Sequence, residues 1–83
     1  MPLIAIIDGI RIEVYFDDHP PPHFHARSAE HRFQMRISDQ AVIAGSAPVP
    51  VIRKVRAWAF RHRRELLDAW KKVSNWEVPK RID

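Results

Sequence analysis

The chain contains no cysteine among its 83 residues. That removes a disulfide framework, a thiolate zinc site and a cysteine nucleophile together, and it fits a reducing, cytoplasmic setting. Glycine is nearly as scarce, with Gly9 and Gly45 the only two. Two isolated glycines build neither a phosphate-cradling loop nor a nucleophile elbow, so Ser28, Ser38, Ser46 and Ser74 lack the setting that acyl-enzyme chemistry needs. Long apolar runs are missing too. "MPLIAIIDGI" has no basic leader and is interrupted at Asp8, far short of the roughly 20 apolar residues of a membrane span. Neither a signal peptide nor a membrane attachment is expected.

What is present is the composition of one small folded domain over 1–83, 46% hydrophobic and 29% charged. Charge is unevenly spread: residues 1–50 hold four basic and six acidic side chains, residues 51–83 hold ten and four. A cationic C-terminal third attracts nucleic acid or an acidic protein through counterion release and steering, without specifying a sequence.

Asp8-Gly9 between two apolar runs is a hairpin signal, because a type I′ turn needs positive φ at both central residues. Strands are expected over 3–7 and 10–16, the second alternating Ile10, Ile12, Val14 and Phe16 with Arg11, Glu13 and Tyr15. After the stiff Pro20, Pro21 and Pro22, "HFHARSA" and "HRFQMRIS" alternate as further strands, and "DQAVIAG" can add a short one. From Val51 the period becomes helical. Val51, Ile52, Val55, Ala59, His62, Leu66, Ala69, Trp70 and Val73 share one stripe, with Pro50 in the first turn and Pro79 ending any continuation. The fold expected is α+β: a small antiparallel sheet of three to four strands within 1–45, one long helix over 50–73 covering it, and a polar tail at 77–83.

"DDHPPPHFHA", residues 17–26, concentrates three of the five histidines. Histidines at i and i+2 on a strand project from one face, so His23 and His25 are candidate ligands of one divalent metal. His19, Asp17 and Asp18, across the proline bend, could complete the shell. The plainer alternative is a rigid turn displaying hydrogen-bonding imidazoles on the wet face of the sheet, with no cofactor. His62 is the one polar member of the helical stripe. It reads either as a core-edge histidine bonded to a backbone carbonyl or as a third catalytic candidate beside His23 and His25. The strand registers put those two on the face away from the helix, and a one-residue slip would exchange the faces.

Phe60 and Leu67 lie among Arg53, Arg56, Arg63, Arg64 and Lys71 on the helix, the apolar-and-arginine mixture of a partner surface. A protein partner, self-association or nucleic acid would suit it, though one helix makes no helix-turn-helix. Trp58 and Trp76 read as anchors of that surface or as packing at the helix edges.

"IDGIRIEVYFDDHPPPHFHA", followed by a strand and then by "WAFRHRRELLDAW", resembles a family of small bacterial proteins classed as a domain of unknown function, from Met1 to about Trp70. The family motif falls on Asp18, His19, Pro20, Pro21, Pro22, His23, Phe24 and His25, and its helix histidine on His62. "SAEHRFQMRISDQ" departs from the acidic or Gly-rich turn common there. The resemblance implies a cytoplasmic protein encoded beside a second small protein in a toxin–antitoxin-like pair. Two functions are therefore expected to compete: a binding module for a macromolecular partner, and a histidine- or metal-dependent nuclease using the His19 to His25 loop.

Overall fold

Asp8 and Gly9 take φ of 47° and 81°, the mirror-image turn that folds β1 (Leu3–Ile7) back onto β2 (Ile10–Glu13). In this computed structural model, which describes residues 2–82, β3 (His23–Arg27), β4 (Arg32–Arg36) and β5 (Val42–Ser46) continue the meander. Each strand pairs antiparallel with the next in the order β1-β2-β3-β4-β5.

The sheet thus has five strands, not three to four. β5 carries no alternating burial, being half-buried at Val42 and exposed from Ile43 to Ser46, so its pairing leaves little trace in hydrophobic periodicity. It depends on Gly45, whose φ is +76° and whose missing Cβ would collide with the carbonyl oxygen of Arg32. β2 is shorter than the expected 10–16. Beyond Glu13 the chain still donates Val14 N–H to the Pro2 carbonyl at 3.1 Å, then turns at Phe16 and Asp17.

Alternation assigns the two faces. Ile10, Ile12, Val14, Phe24, Ala26, Phe33, Met35 and Ile37 are buried on one side, in the registers Ile12↔Ala26, Ala26↔Phe33 and Phe24↔Met35. The helical layer covers them. Its expected single helix is two, α1 (Val49–Arg61) and α2 (Arg63–Ser74). His62 breaks the run at φ −112° and ψ 24°, yet Trp58 O still accepts its N–H at 3.1 Å and Leu66 N–H returns to His62 O at 2.9 Å. The apolar stripe therefore crosses the break in phase, from Val55, Trp58 and Ala59 to Leu66, Ala69, Trp70 and Val73. No glycine or proline marks the break in the sequence.

The expected polar tail over 77–83, of which Asp83 lies outside the described residues, is not simply polar over 77–82. Pro79 and Ile82 are buried, and Ile82 N–H donates to Ile4 O at 2.6 Å, so the C-terminal segment seals the β1 edge. Trp76 is 67% exposed, and its ring stacks on Phe16 at 5.5 Å. Trp58, by contrast, is core, edge-on to Phe24 at 6.3 Å. No helix among the described residues is long and apolar enough to cross a membrane.

Candidate metal centre

Asp17, at φ 59°, reverses the chain after β2, and the Pro20 to Pro22 segment, with a cis Pro20–Pro21 bond, delivers it to β3. This detour places Asp18 beside the two histidines that β3 presents on the side opposite Phe24. The His23 and His25 rings are 5.1 Å apart. Asp18 Oδ2 lies 3.1 Å from His23 Nε2 and 2.9 Å from His25 Nε2. One ligand atom from each of the three falls within 4.8 Å of the others.

The proton inventory of His23 makes this cluster unusual. Its Nδ1 is 2.7 Å from the Pro21 carbonyl oxygen, which can only accept, so Nδ1 carries the proton. In the neutral ring Nε2 is then a bare lone pair, aimed at a carboxylate. Burial would raise the Asp18 carboxyl, but the hydrogen bond from His25, the backbone N–H of His19 and the charges of His23 and His25 outweigh it and hold Asp18 below the usual range. With His23 neutral, a metal ion satisfies both its Nε2 lone pair and the Asp18 oxygen 3.1 Å away; with the ring protonated, Nε2–H donates to that carboxylate instead. The carbonyl bond that fixes this tautomer is the support that metal-ligating histidines ordinarily have.

His23 is only 2% exposed. At the first residue of β3 it is reached by Trp70 of α2, whose ring lies 5.2 Å away, so the wet-face placement expected for it does not hold. His25 keeps an opening to solvent and is stacked by Tyr15 at 3.9 Å. His19 sits outside the trio: its side chain is 89% exposed, with its ring 3.3 Å and its backbone N–H 3.0 Å from the other Asp18 oxygen. Asp17 contributes the turn. His62 is elsewhere, against Trp58 at 5.0 Å, donating Nδ1–H to the Glu65 carboxylate at 2.8 Å. Its partner is this side chain, not a backbone carbonyl, and it does not join His23 and His25.

Sequence reasoning missed Glu13. It is 1% exposed and stands opposite His25 across the β2–β3 pair. Its carboxylate accepts from Arg27 at 3.0 Å, Arg11 at 3.4 Å and the Tyr15 hydroxyl at 3.4 Å. Burial, then the Glu13 charge, push the Tyr15 phenol up. The signal that could have found Glu13 was its position in the strand alternation, on the polar face with Arg11 and Tyr15.

On the helices, Phe60 and Leu67 are 64% and 37% exposed. With Pro22, Ile37, Arg63 and Arg64 they line a groove of about 640 Å³, and the Arg63 guanidinium lies 5.8 Å over the Phe60 ring. Arg53, Arg56 and Lys71 do not line it. Arg56 instead donates to the Gln40 carbonyl at 3.1 Å, tying α1 to the β4–β5 turn.

Residues 9–71 match the profile of a family described as a domain of unknown function, DUF4160. No curated protein and no solved structure matches the chain significantly.

Proposed function

We propose a divalent-metal function for this chain, which belongs to the DUF4160 family of domains of unknown function. The observation that carries it is the convergence of His23 Nε2, His25 Nε2 and Asp18 Oδ2 within 4.8 Å, with the His23 tautomer locked by Pro21. Two imidazoles and one carboxylate suit zinc and the neighbouring first-row metals. Three protein ligands leave a coordination position for water, the pattern of catalytic sites, and a metal lowers the pKa of such a water to about 7. The activity that follows is hydrolysis, with Asp18, His23 and His25 holding the ion and Tyr15 and Pro21 positioning the rings. This favours the metal-dependent nuclease expectation over a purely structural loop.

The test is a zinc titration of the tag-free protein followed through histidine ring nitrogen signals. The Nε2 signals of His23 and His25 are expected to move together and saturate at one equivalent, while His31 and His62 stay still. Weak, independent responses from all five histidines would sink the proposal.

The exposure of Phe60 and Leu67 among arginines supports a second reading, a binding module whose helical groove engages a protein partner, as in a toxin–antitoxin-like pair, or a second copy. Large exposed aromatic and arginine side chains around a pocket are the anchors of protein interfaces. Reversing Arg63 and Arg64 to glutamate is expected to weaken a complex with a protein partner, or a self-associated form seen by sedimentation, at least tenfold. Unchanged association would remove this groove from the interface.

A further inference from the structure

We infer that the groove beside the metal centre takes the phosphate of a phosphodiester, an inference that rests on the metal-centre reading above. The groove, of about 360 Å³, runs over the polar face of the sheet and is lined by Tyr15, His25, Arg27, Arg32 and Gln34. Its volume suits a small ligand or one segment of a longer one. His25, a metal ligand, forms one end. Arg27 follows two residues along the same face, about 7 Å away at strand spacing. Gln34 stands across from His25 and Arg32 across from Arg27.

The charges in this groove are not balanced. Glu13, across from His25 on β2, is already engaged by Arg11, Arg27 and Tyr15. Arg32 is exposed; its backbone pairs with Arg27 and Ser46, and its side chain makes no ion pair or hydrogen bond among the described residues. Arg27 keeps a buried Nε with no hydrogen-bond partner. A guanidinium with free donors, a free amide and a metal ligand along one groove select an anionic group with several acceptor oxygens.

The far wall carries little side chain. β5 contributes Ala44 and Gly45 there, and Gly45 cannot be replaced by a residue with a side chain without striking the Arg32 backbone.

A metal-activated water at one end and arginines at the other form the apparatus of phosphoryl transfer. A metal held by Asp18, His23 and His25 would supply the activation of water; in the hydrolysis that would follow, the water, its proton passing to solvent, bonds to phosphorus. The bond from phosphorus to the leaving alcohol breaks, and the leaving oxygen takes a proton from solvent. A monoester and an alcohol are released, and no redox partner is needed.

The experiment uses bis(4-nitrophenyl) phosphate as probe, titrated into metal-free and zinc-loaded protein by amide NMR, with 4-nitrophenolate release followed in the loaded form. Shifts are expected at Arg27, Arg32, Gln34 and Gly45 in both forms, with roughly tenfold tighter binding when zinc is present. Arg32→Gln is expected to weaken probe binding about tenfold in both forms and leave zinc affinity within twofold. If zinc does not bind, the metal reading fails by itself, and the metal-free titration still decides the groove: shifts lost in Arg32→Gln support it. Absence of shifts at these residues, or shifts insensitive to Arg32→Gln, overturns the phosphate assignment whether or not zinc binds.

Discussion

His23→Phe should leave the domain folded but cost it more than 100-fold in zinc affinity. Phenylalanine keeps a ring against Trp70 while removing both nitrogens, one of which approaches Asp18 and the other the Pro21 carbonyl. Loss of a supporting outer-shell partner alone typically costs about 10- to 100-fold in metal affinity, so loss of a ligand costs more. The effect is largest in thermal unfolding. A metal that binds only the folded state at 100 times its Kd adds about 2.7 kcal/mol, which in a domain of this size raises Tm by on the order of 10 °C or more. Wild-type protein should show that rise with zinc and His23→Phe none. Asp18→Asn should lose the same response, since the amide cannot supply the anionic oxygen shared by the two rings. An equal zinc-induced rise in wild type and His23→Phe would mean that the ion binds somewhere other than this trio.

Phe24→Ala, one residue along, is expected to cost about 3 to 5 kcal/mol of stability. Phe24 is fully buried, pairs across the sheet with Met35 and meets Trp58 edge-on, so its truncation opens a cavity between both layers. A domain of this length has only about 4 to 12 kcal/mol in total, and the urea midpoint should fall by about a quarter or more with an unchanged slope. Phe60→Ala is the control. Its ring is 64% exposed, and it should change stability by no more than about 0.5 kcal/mol. Comparable losses at the two positions would contradict the division of the chain into a buried sheet face and an exposed helical groove.

The contrast between these two phenylalanines was legible in the sequence, since Phe24 belongs to a period-2 pattern and Phe60 falls off the helical stripe. The pairing of His23 with His25 was legible for the same reason. Membership of Asp18, rather than His19, was not. It depends on the positive φ at Asp17 and on the path of the prolines, which bring a residue from before the bend onto a strand after it. Burial of His23 was equally hidden, because Trp70 comes from α2, far along the chain. The break at His62 and the docking of Ile82 on β1 escaped for a related reason: a helix interrupted in phase keeps its periodicity, and one apolar residue in a charged tail has none.

The sequence by itself determined the Asp8-Gly9 hairpin, the core face of the strands, the apolar stripe of the helical layer and the exclusion of thiol and glycine-loop chemistry. All of these follow from local steric preferences and periodic burial, which act over a few residues and are written in residue order. Only the tertiary structure decided which carboxylate meets which imidazoles, that the Arg32 side chain remains unpaired beside them while Arg27 is held by Glu13, and what closes the β1 edge of the sheet. Those outcomes depend on contacts between distant segments, where the desolvation of one side chain is set by another that no local pattern connects to it.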